Sequence, residues 1–318
     1  MSVYIHQRDF QLNDVDQTSR ERHFVPIEKM NILDRNYIHK IQERFHELGF
    51  GYMVGNINGC FNVKLYGTIM AFQQQASLPL RRRKDFVNGH CFLDEVQISF
   101  SGCINGIFDS ETAIEMDLWL RKGYINSCEK LLVQVGKTWI REDIATAIYR
   151  IKEFLLSKEG LFPDFLFACF RHPAGFLEIP GRKKKSLHCT GLAIDLDEWR
   201  GSQSQEDDFF FIERTCDESW VVYVQSRSFE ISEVNILAWY FDWKSCCFYT
   251  KEVKERLINL SLLMDKEGLK PISALSGWED VYYLSEWWHF QVNQCRDWFI
   301  EMQTIGFSRE YLEFLGYV

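Results

Sequence analysis

Nowhere in the chain do about 18 apolar residues follow one another, the length a helix needs to cross a bilayer, so no membrane insertion is expected. The opening stretch MSVYIHQRDFQLNDVDQ carries charges where a secretory signal needs an apolar run, so synthesis in a cytosol without a signal peptide is the expectation. Positive charge is in short supply: 36 Lys and Arg against 45 Asp and Glu leave a net charge of −9. A chain of that sign has no general pull toward nucleic acid or anionic lipid, and neither is an expected partner. The ten cysteines contain no CxxC pair, which excludes a zinc ribbon, and their scatter fits no compact disulfide framework. They read mostly as buried, reduced thiols. Cys189 alone lies near suspected chemistry, and no base is evident for it. Internal repeats and low-complexity tracts are absent as well.

What is present is ordinary globular material: 318 residues, 46% of them hydrophobic, enough for two domains. Residues 1–30 are polar and aperiodic and read as an arm or cap. Ile38, Ile41, Phe45 and Leu48 recur at helical spacing. A turn-rich GFGYMVGNINGCF follows, and VKLYGTIMAFQQQASLP reads as a second amphipathic helix. After a basic and mixed insertion at about 80–101, Asp109 or Ser110 can cap a third helix carrying Ile114, Leu118 and Leu120. Further on, REDIATAIYRIKEFLLSKEG predicts a helix closed by Gly160, DFLFACFRH a short buried strand, and KEVKERLINLSLLMDKEGL another helix ending at Gly268. SEWWHFQV is strand-like. Helical and strand-like runs alternating in this way suit an α+β domain over 135–318.

The chemistry concentrates in SLHCTGLAIDL, residues 186–196. Leu192, Ile194 and Leu196 alternate with Ala193 and Asp195, so a strand here carries a carboxylate that is costly to desolvate without a cation or donors beside it. A metal supplies that cation. A catalytic zinc takes three nitrogen or oxygen ligands and keeps one position open. Thr190-Gly191 lets the chain turn, so that His188 and Asp195 reach one point. The third ligand must come from elsewhere, and EWWHF offers His289 with Glu286 three residues earlier. Residues three apart face opposite sides of a regular strand. A turn or bulge just before Trp287 would bring Glu286 back to the metal as a general base.

SLHCTGLAID with EWWHF downstream resembles the zinc D-alanyl-D-alanine peptidases, which include the vancomycin-resistance carboxypeptidases and dipeptidases and several phage endolysins. Their signature, S-x-H-x(6)-D … E-x-x-H, is met at Ser186, His188, Asp195, Glu286 and His289. The resemblance covers roughly residues 135–295. It implies zinc on His188, Asp195 and His289, Glu286 as catalytic base, and an arginine that steadies the developing oxyanion, for which Arg171 in FACFRHP matches. It implies a mainly antiparallel sheet flanked by helices. Ser186, Trp287 and Trp288 are the candidate substrate-lining residues, although Ser186 also suits a structural hydrogen bond and the tryptophans also suit packing beneath the site.

The order of helix, Gly-rich turn, AFQ helix and NGIFDSET over 31–125 resembles the small three-helix peptidoglycan-binding domain found beside many cell-wall hydrolases. One departure from the compact peptidases stands out: ninety residues lie between Asp195 and Glu286. The excess, about 198–250, reads as a β-rich insertion. Asp197 and Glu198 read as solvated, His172 as lying outside the signature, and the basic runs RRRK (81–84) and GRKKK (181–185) as solvated loops, the second able to draw peptide carboxylates toward the metal.

Together these imply a zinc peptidoglycan peptidase, an endopeptidase or D,D-carboxypeptidase acting on the wall or its peptides. The alternatives are a cytosolic D-Ala-D-Ala dipeptidase and a non-catalytic wall-binding zinc protein. The substrate lies outside a bacterial cytoplasm, so action in the periplasm or wall after lysis or specialised secretion is expected, with delivery machinery or an immunity protein as candidate partners.

Overall fold

The computed structural model describes residues 32–84, 91–160, 166, 169–176, 185–202, 209–215, 219–292 and 297–317. The arm expected over 1–30 and most of the GRKKK run lie outside them. The chain divides into two compact units, one of residues 1–131, 172–185 and 297–318, the other of 132–171 and 186–296. The architecture is α+β with antiparallel sheets. No helix among the described residues is long and apolar enough to cross a membrane.

In the first unit, α1 (Ile32–Glu47) buries Ile38, Ile41 and Phe45 at the predicted helical spacing. A short α2 (Gly51–Val54) leads to α3 (Val63–Ala76), where the Asn62 side chain accepts from the Lys64 and Leu65 amides and so satisfies two orphan donors. Strands β1 (Leu80–Lys84) and β2 (Cys91–Glu95) pair as a hairpin over the stretch that read as an insertion. Then α4 (Ser110–Lys122) starts on Asp109, whose carboxylate accepts from Thr112 N, and ends on left-handed Gly123. A third strand, β3 (Tyr124–Ile125), completes the sheet in the order β2-β1-β3.

RRRK is not a solvated loop. It forms β1, and Arg81 is buried because its guanidinium donates to the Gln75, Ala76 and Leu78 carbonyls at the end of α3. Gln75 and Ala76 close α3, and such terminal carbonyls have no partner within the helix, whereas Leu78 lies two residues beyond it.

The second unit opens with a hairpin of β4 (Leu132–Val135) and β5 (Thr138–Arg141), followed by α5 (Glu142–Ser157), which buries Ile144, Ile148, Ile151 and Leu155. Next come β6 (Ala193–Asp195), β7 (Phe210–Arg214), β8 (Trp220–Gln225), β9 (Glu233–Asp242) and β10 (Cys247–Asn259). The last four close as a small antiparallel barrel, β10-β8-β7-β9. α6 (Leu260–Lys266), β11 (Leu269–Pro271) and β12 (His289–Val292) follow, and β11-β12-β6 make a second sheet.

Two sequence expectations change here. The helix read over 251–269 is mostly strand: β10 pairs with β9 along ten residues, and the helix begins only at Leu260, capped by Asn259. Of the strand read over DFLFACFRH, residues 164, 165, 167 and 168 lie outside the described residues, and 169–172 are not strand. Leu166 makes an isolated bridge to Leu196, while the Cys169 and Phe170 amides donate to the Thr138 hydroxyl instead of to a neighbouring strand.

The chain's last helices, α7 (Trp298–Thr304) and α8 (Arg309–Phe314), belong to the first unit. Tyr311 explains why. Its ring occupies the notch above Gly67 of α3, where any Cβ would meet it at 2.3 Å, and its hydroxyl donates to the Val63 carbonyl.

Candidate metal centre

Two short stretches of the second unit build the centre. In the first, Ser186 caps a single tight turn, 187–190, with its hydroxyl accepting from His188 N at 3.3 Å. Gly191 then closes the turn at φ +70, and a Cβ there would meet Leu132 Cδ2 at 2.5 Å, so both the left-handed backbone and the space demand glycine. The turn delivers His188 and passes directly into β6, which carries Asp195.

In the second stretch, the antiparallel register sets His289 directly opposite Asp195. The ladder bonds at Leu196–Trp288 and Val292–Leu192 flank this pair, which makes it a non-hydrogen-bonded pair, the kind whose side chains approach closest. Just before it the chain turns through Trp287-Trp288, with His289 N donating to the Glu286 carbonyl at 3.0 Å. Glu286 itself sits at φ +52. A turn, not a straight strand, therefore connects Glu286 to His289.

His188, Asp195 and His289 therefore converge, each at most 8% exposed. His188 Nε2 lies 3.1 Å from His289 Nδ1 and 3.2 Å from Asp195 Oδ1, and His289 Nδ1 lies 3.0 Å from the same oxygen. The outer hydrogen bonds fix the tautomers. His188 Nδ1–H donates to the Cys169 carbonyl at 2.6 Å, and His289 Nε2–H donates to Gln291 Oε1 at 3.1 Å. In the neutral imidazoles both inward nitrogens thus present lone pairs, as ligands braced by outer partners do. Three lone-pair atoms at this spacing repel unless a proton or a cation sits among them. Tetrahedral ligands about 2.0–2.1 Å from a zinc ion stand roughly 3.3 Å apart, close to the triangle here. The group can hold a metal ion.

Charge around the triangle follows from burial and contact. Burial pulls the His188 pKa below 6.5 against the pull of Asp195. Burial also works on His289, but its hydrogen bond to Asp195 and that carboxylate's charge raise it overall. Asp195 resists burial through its contacts with the two histidines and is held well below the usual carboxylate range. Its other oxygen, Oδ2, accepts from Arg171 Nη2 at 2.5 Å. Arg171 is thus joined to the carboxylate of the triangle, and Arg171 N also donates to the His188 carbonyl at 3.3 Å.

Among the remaining expected site residues, Glu286 is half-buried, and its charge acts on both His289 and Glu198. The structure corrects the expectation for Trp287 and Trp288. Both are core residues, at 0% and 4% exposure, packed on Phe210 and Tyr282, so neither ring offers a face to a substrate. They anchor the turn: Trp287 Nε1 donates to the Tyr282 hydroxyl, and Trp220 Nε1 donates to the Ser285 carbonyl.

Cys189 is buried and its thiol is pushed up to about 12, which leaves no nucleophile. Of the eight free cysteines described, four are buried rather than most of them, while Cys91, Cys103 and Cys246 are exposed. His172 belongs to the first unit, outside the triangle.

Three contributors were missed in the sequence. Glu198, read as solvated, is half-buried, and burial together with the charges of Asp195 and Glu286 pushes its carboxyl up to about 7 against the pull of Arg171. Its place three residues after Asp195 was the only signal. Gln291 and Cys169 orient the two histidines, and the alternation of His289 with Gln291 on β12 could have flagged the first of them.

No protein-family model, curated protein or solved structure matches this chain.

Proposed function

We propose that the chain is a zinc-dependent peptidase that hydrolyses stem-peptide or cross-link bonds of peptidoglycan. The observation that carries this reading is the triangle of bare donors, His188 Nε2, Asp195 Oδ1 and His289 Nδ1, 3.0–3.2 Å apart. It is joined by a half-buried carboxylate, Glu286, whose charge acts on His289. A zinc ion held there supplies Lewis-acid polarisation of the scissile carbonyl and acidifies a water.

The chain's own residues do the rest. Glu286 takes the proton from the attacking water and hands it to the leaving amine. Arg171 holds Asp195 in its ligating position, and its remaining donors stabilise charge that builds on the carbonyl oxygen. Ser186 and Gly191 fix the turn that presents His188. A pure binding protein would gain nothing from Glu286, whose positive φ is a strained conformation for any residue but glycine.

The substrate class comes from the resemblance at Ser186, His188, Asp195, Glu286 and His289, and from the wall-binding character of the first unit's sequence. That unit presents a polar cleft lined by Arg35, Asn36, His39, Asn58 and Gly59. A polymeric wall substrate favours endopeptidase or carboxypeptidase action over cleavage of a free dipeptide. It also places the site of action in the periplasm or wall.

The test is hydrolysis of synthetic stem peptides and of D-Ala-D-Ala by protein stripped with a chelator and then reloaded. The reading expects activity lost on stripping and regained with zinc, on the stem peptides. Cleavage of D-Ala-D-Ala alone would favour the dipeptidase. A reloaded protein that cuts nothing would leave only wall binding.

A further inference from the structure

Beside the metal centre, the second unit leaves three aromatic rings uncovered. Trp199, Trp243 and Tyr283 are 47%, 44% and 48% exposed. Their ring centroids stand 6.3 Å apart for Trp199–Trp243, 6.2 Å for Trp199–Tyr283 and 6.4 Å for Trp243–Tyr283. The two indoles lie within 17° of parallel, and Tyr283 stands at 74° and 61° to them. Contiguous aromatic surface left in water is costly and marks recognition sites.

The rings are braced. Trp243 packs on Phe241 and Tyr282 at 5.0 and 5.3 Å, Tyr283 packs on Tyr282 at 5.7 Å, and Trp199 N donates to Asp197 Oδ1 at 3.3 Å. Braced rings lose little freedom when a ligand lands on them.

Two of the rings lie close in sequence to residues of the metal centre. Trp199 comes four residues after Asp195 and Tyr283 three before Glu286. The Tyr282 hydroxyl ties the two segments by donating to the Glu198 carbonyl at 2.6 Å. Trp243 arrives from the turn joining β9 and β10, within the segment by which this chain departs from the compact peptidases it resembles.

Two acidic side chains on the fringe have partners among the described residues. Asp197 pairs with Arg200 at 3.3 Å, and Asp242 accepts from the Lys244 amide and the Ser245 hydroxyl. Glu198 lies in the field of Asp195, Glu286 and Arg171, on the metal side. An aromatic cage for an ammonium group gains from unbalanced negative charge beside the rings. Carboxylates already engaged by an arginine or by hydrogen-bond donors, beside flat apolar faces, suit a neutral ligand with an apolar face and a hydroxyl rim.

The geometry points to a glycan subsite, in which the pyranose ring of an N-acetylhexosamine seats on Trp199, Trp243 and Tyr283 while the peptide borne by the same polymer reaches the metal centre. The inference rests on the peptidase reading and adds to it the sugar half of the substrate.

The test uses the full, metal-loaded chain. Calorimetry follows its binding of a soluble β-1,4-linked N-acetylglucosamine oligomer. Hydrolysis is followed for a free stem peptide and for the same peptide carried on a disaccharide. Wild type and Phe229→Ala, an exposed ring outside the trio, should bind the oligomer saturably. Trp199→Ala, Trp243→Ala and Tyr283→Ala should each bind it roughly tenfold more weakly, with Trp199→Tyr recovering much of the loss.

The ratio of kcat/KM on the disaccharide-peptide to that on the free peptide should exceed one in wild type and fall toward one in Trp199→Ala, through KM. Absence of saturable binding by wild type, or unchanged binding in the alanine variants, overturns the subsite. Wild type that cuts the free peptide without binding the oligomer removes the glycan subsite and keeps the peptidase. Wild type that binds the oligomer through these rings but cuts neither substrate does the reverse.

Discussion

His289 stands directly across the β-ladder from Asp195, 94 positions away in sequence, with its Nδ1 3.0 Å from Asp195 Oδ1. The pairing needs no special loop to hold it, because the register of β12 on β6 fixes it. A slip of one residue would turn His289 to the opposite face, and with Phe290, Ile194 and Leu196 all buried such a slip would also expose core.

The first expectation concerns Arg171. Its guanidinium meets Asp195 Oδ2 at 2.5 Å, so Arg171→Met should weaken metal binding by about 10–100-fold, the usual cost of losing an outer partner of a ligand. Chelator competition measures this. An unchanged metal affinity with a lower kcat would mean that Arg171 serves the carbonyl oxygen alone.

Gln291 makes an independent case. It accepts from His289 Nε2–H at 3.1 Å and so keeps Nδ1 bare. Gln291→Leu should also lower metal affinity by about 10–100-fold, with secondary structure by circular dichroism unchanged. Wild-type affinity in this variant would show that the ladder alone orients the ring.

These outer partners show where sequence reading reaches its limit. The triangle was legible because Ser186, His188, Asp195, Glu286 and His289 carry a spaced pattern, and Thr190-Gly191 announces the turn. Helix starts were legible at Asp109, where a local cap decides the boundary. What decided the rest was not local. Lys251–Asn259 is rich in good helix formers, yet β9 pairs with it as far as Arg256 and β8 from Leu257 on, which makes it strand. Arg81 looked solvated because its partners, the last carbonyls of α3, become available only once the chain has folded back on them. Trp287 and Trp288 lie between Glu286 and His289 in sequence, but the turn there sends both rings into the core.

Acidity should separate the two histidines. Burial holds His188 below 6.5, whereas His289, despite burial, is raised by its contact with Asp195. In metal-free protein the competing proton therefore sits on His289. Apparent metal affinity should be flat at high pH and fall about tenfold per unit as pH drops through the raised His289 value, one proton being displaced per metal. The stability sign is the converse. A raised folded pKa stabilises metal-free protein below 6.5 and loses that contribution as pH rises through the folded value. Thermal unfolding across this window should show the loss without metal and not with it. A two-proton dependence from the start would contradict the assignment.

Glu286 should show a conflict between strain and activity. At φ +52 a residue with a Cβ is strained. Glu286→Gly should therefore unfold about 1 kcal/mol later than Glu286→Ala, while both retain metal and neither hydrolyses peptide. Equal stabilities in denaturant titrations would mean that the turn relaxes at no cost.

The reaction proposed is hydrolysis of peptidoglycan peptide bonds by a metal ion on His188, Asp195 and His289, with Glu286 as base. The most direct measurement takes wild type and Glu286→Ala, determines the metal bound to each, and reads by mass spectrometry the fragments each releases from intact sacculi. The expected result is one zinc per chain in both proteins and defined peptide fragments from wild type only. Metal bound by wild type with sacculi left whole, or equal release by the two proteins, would contradict it.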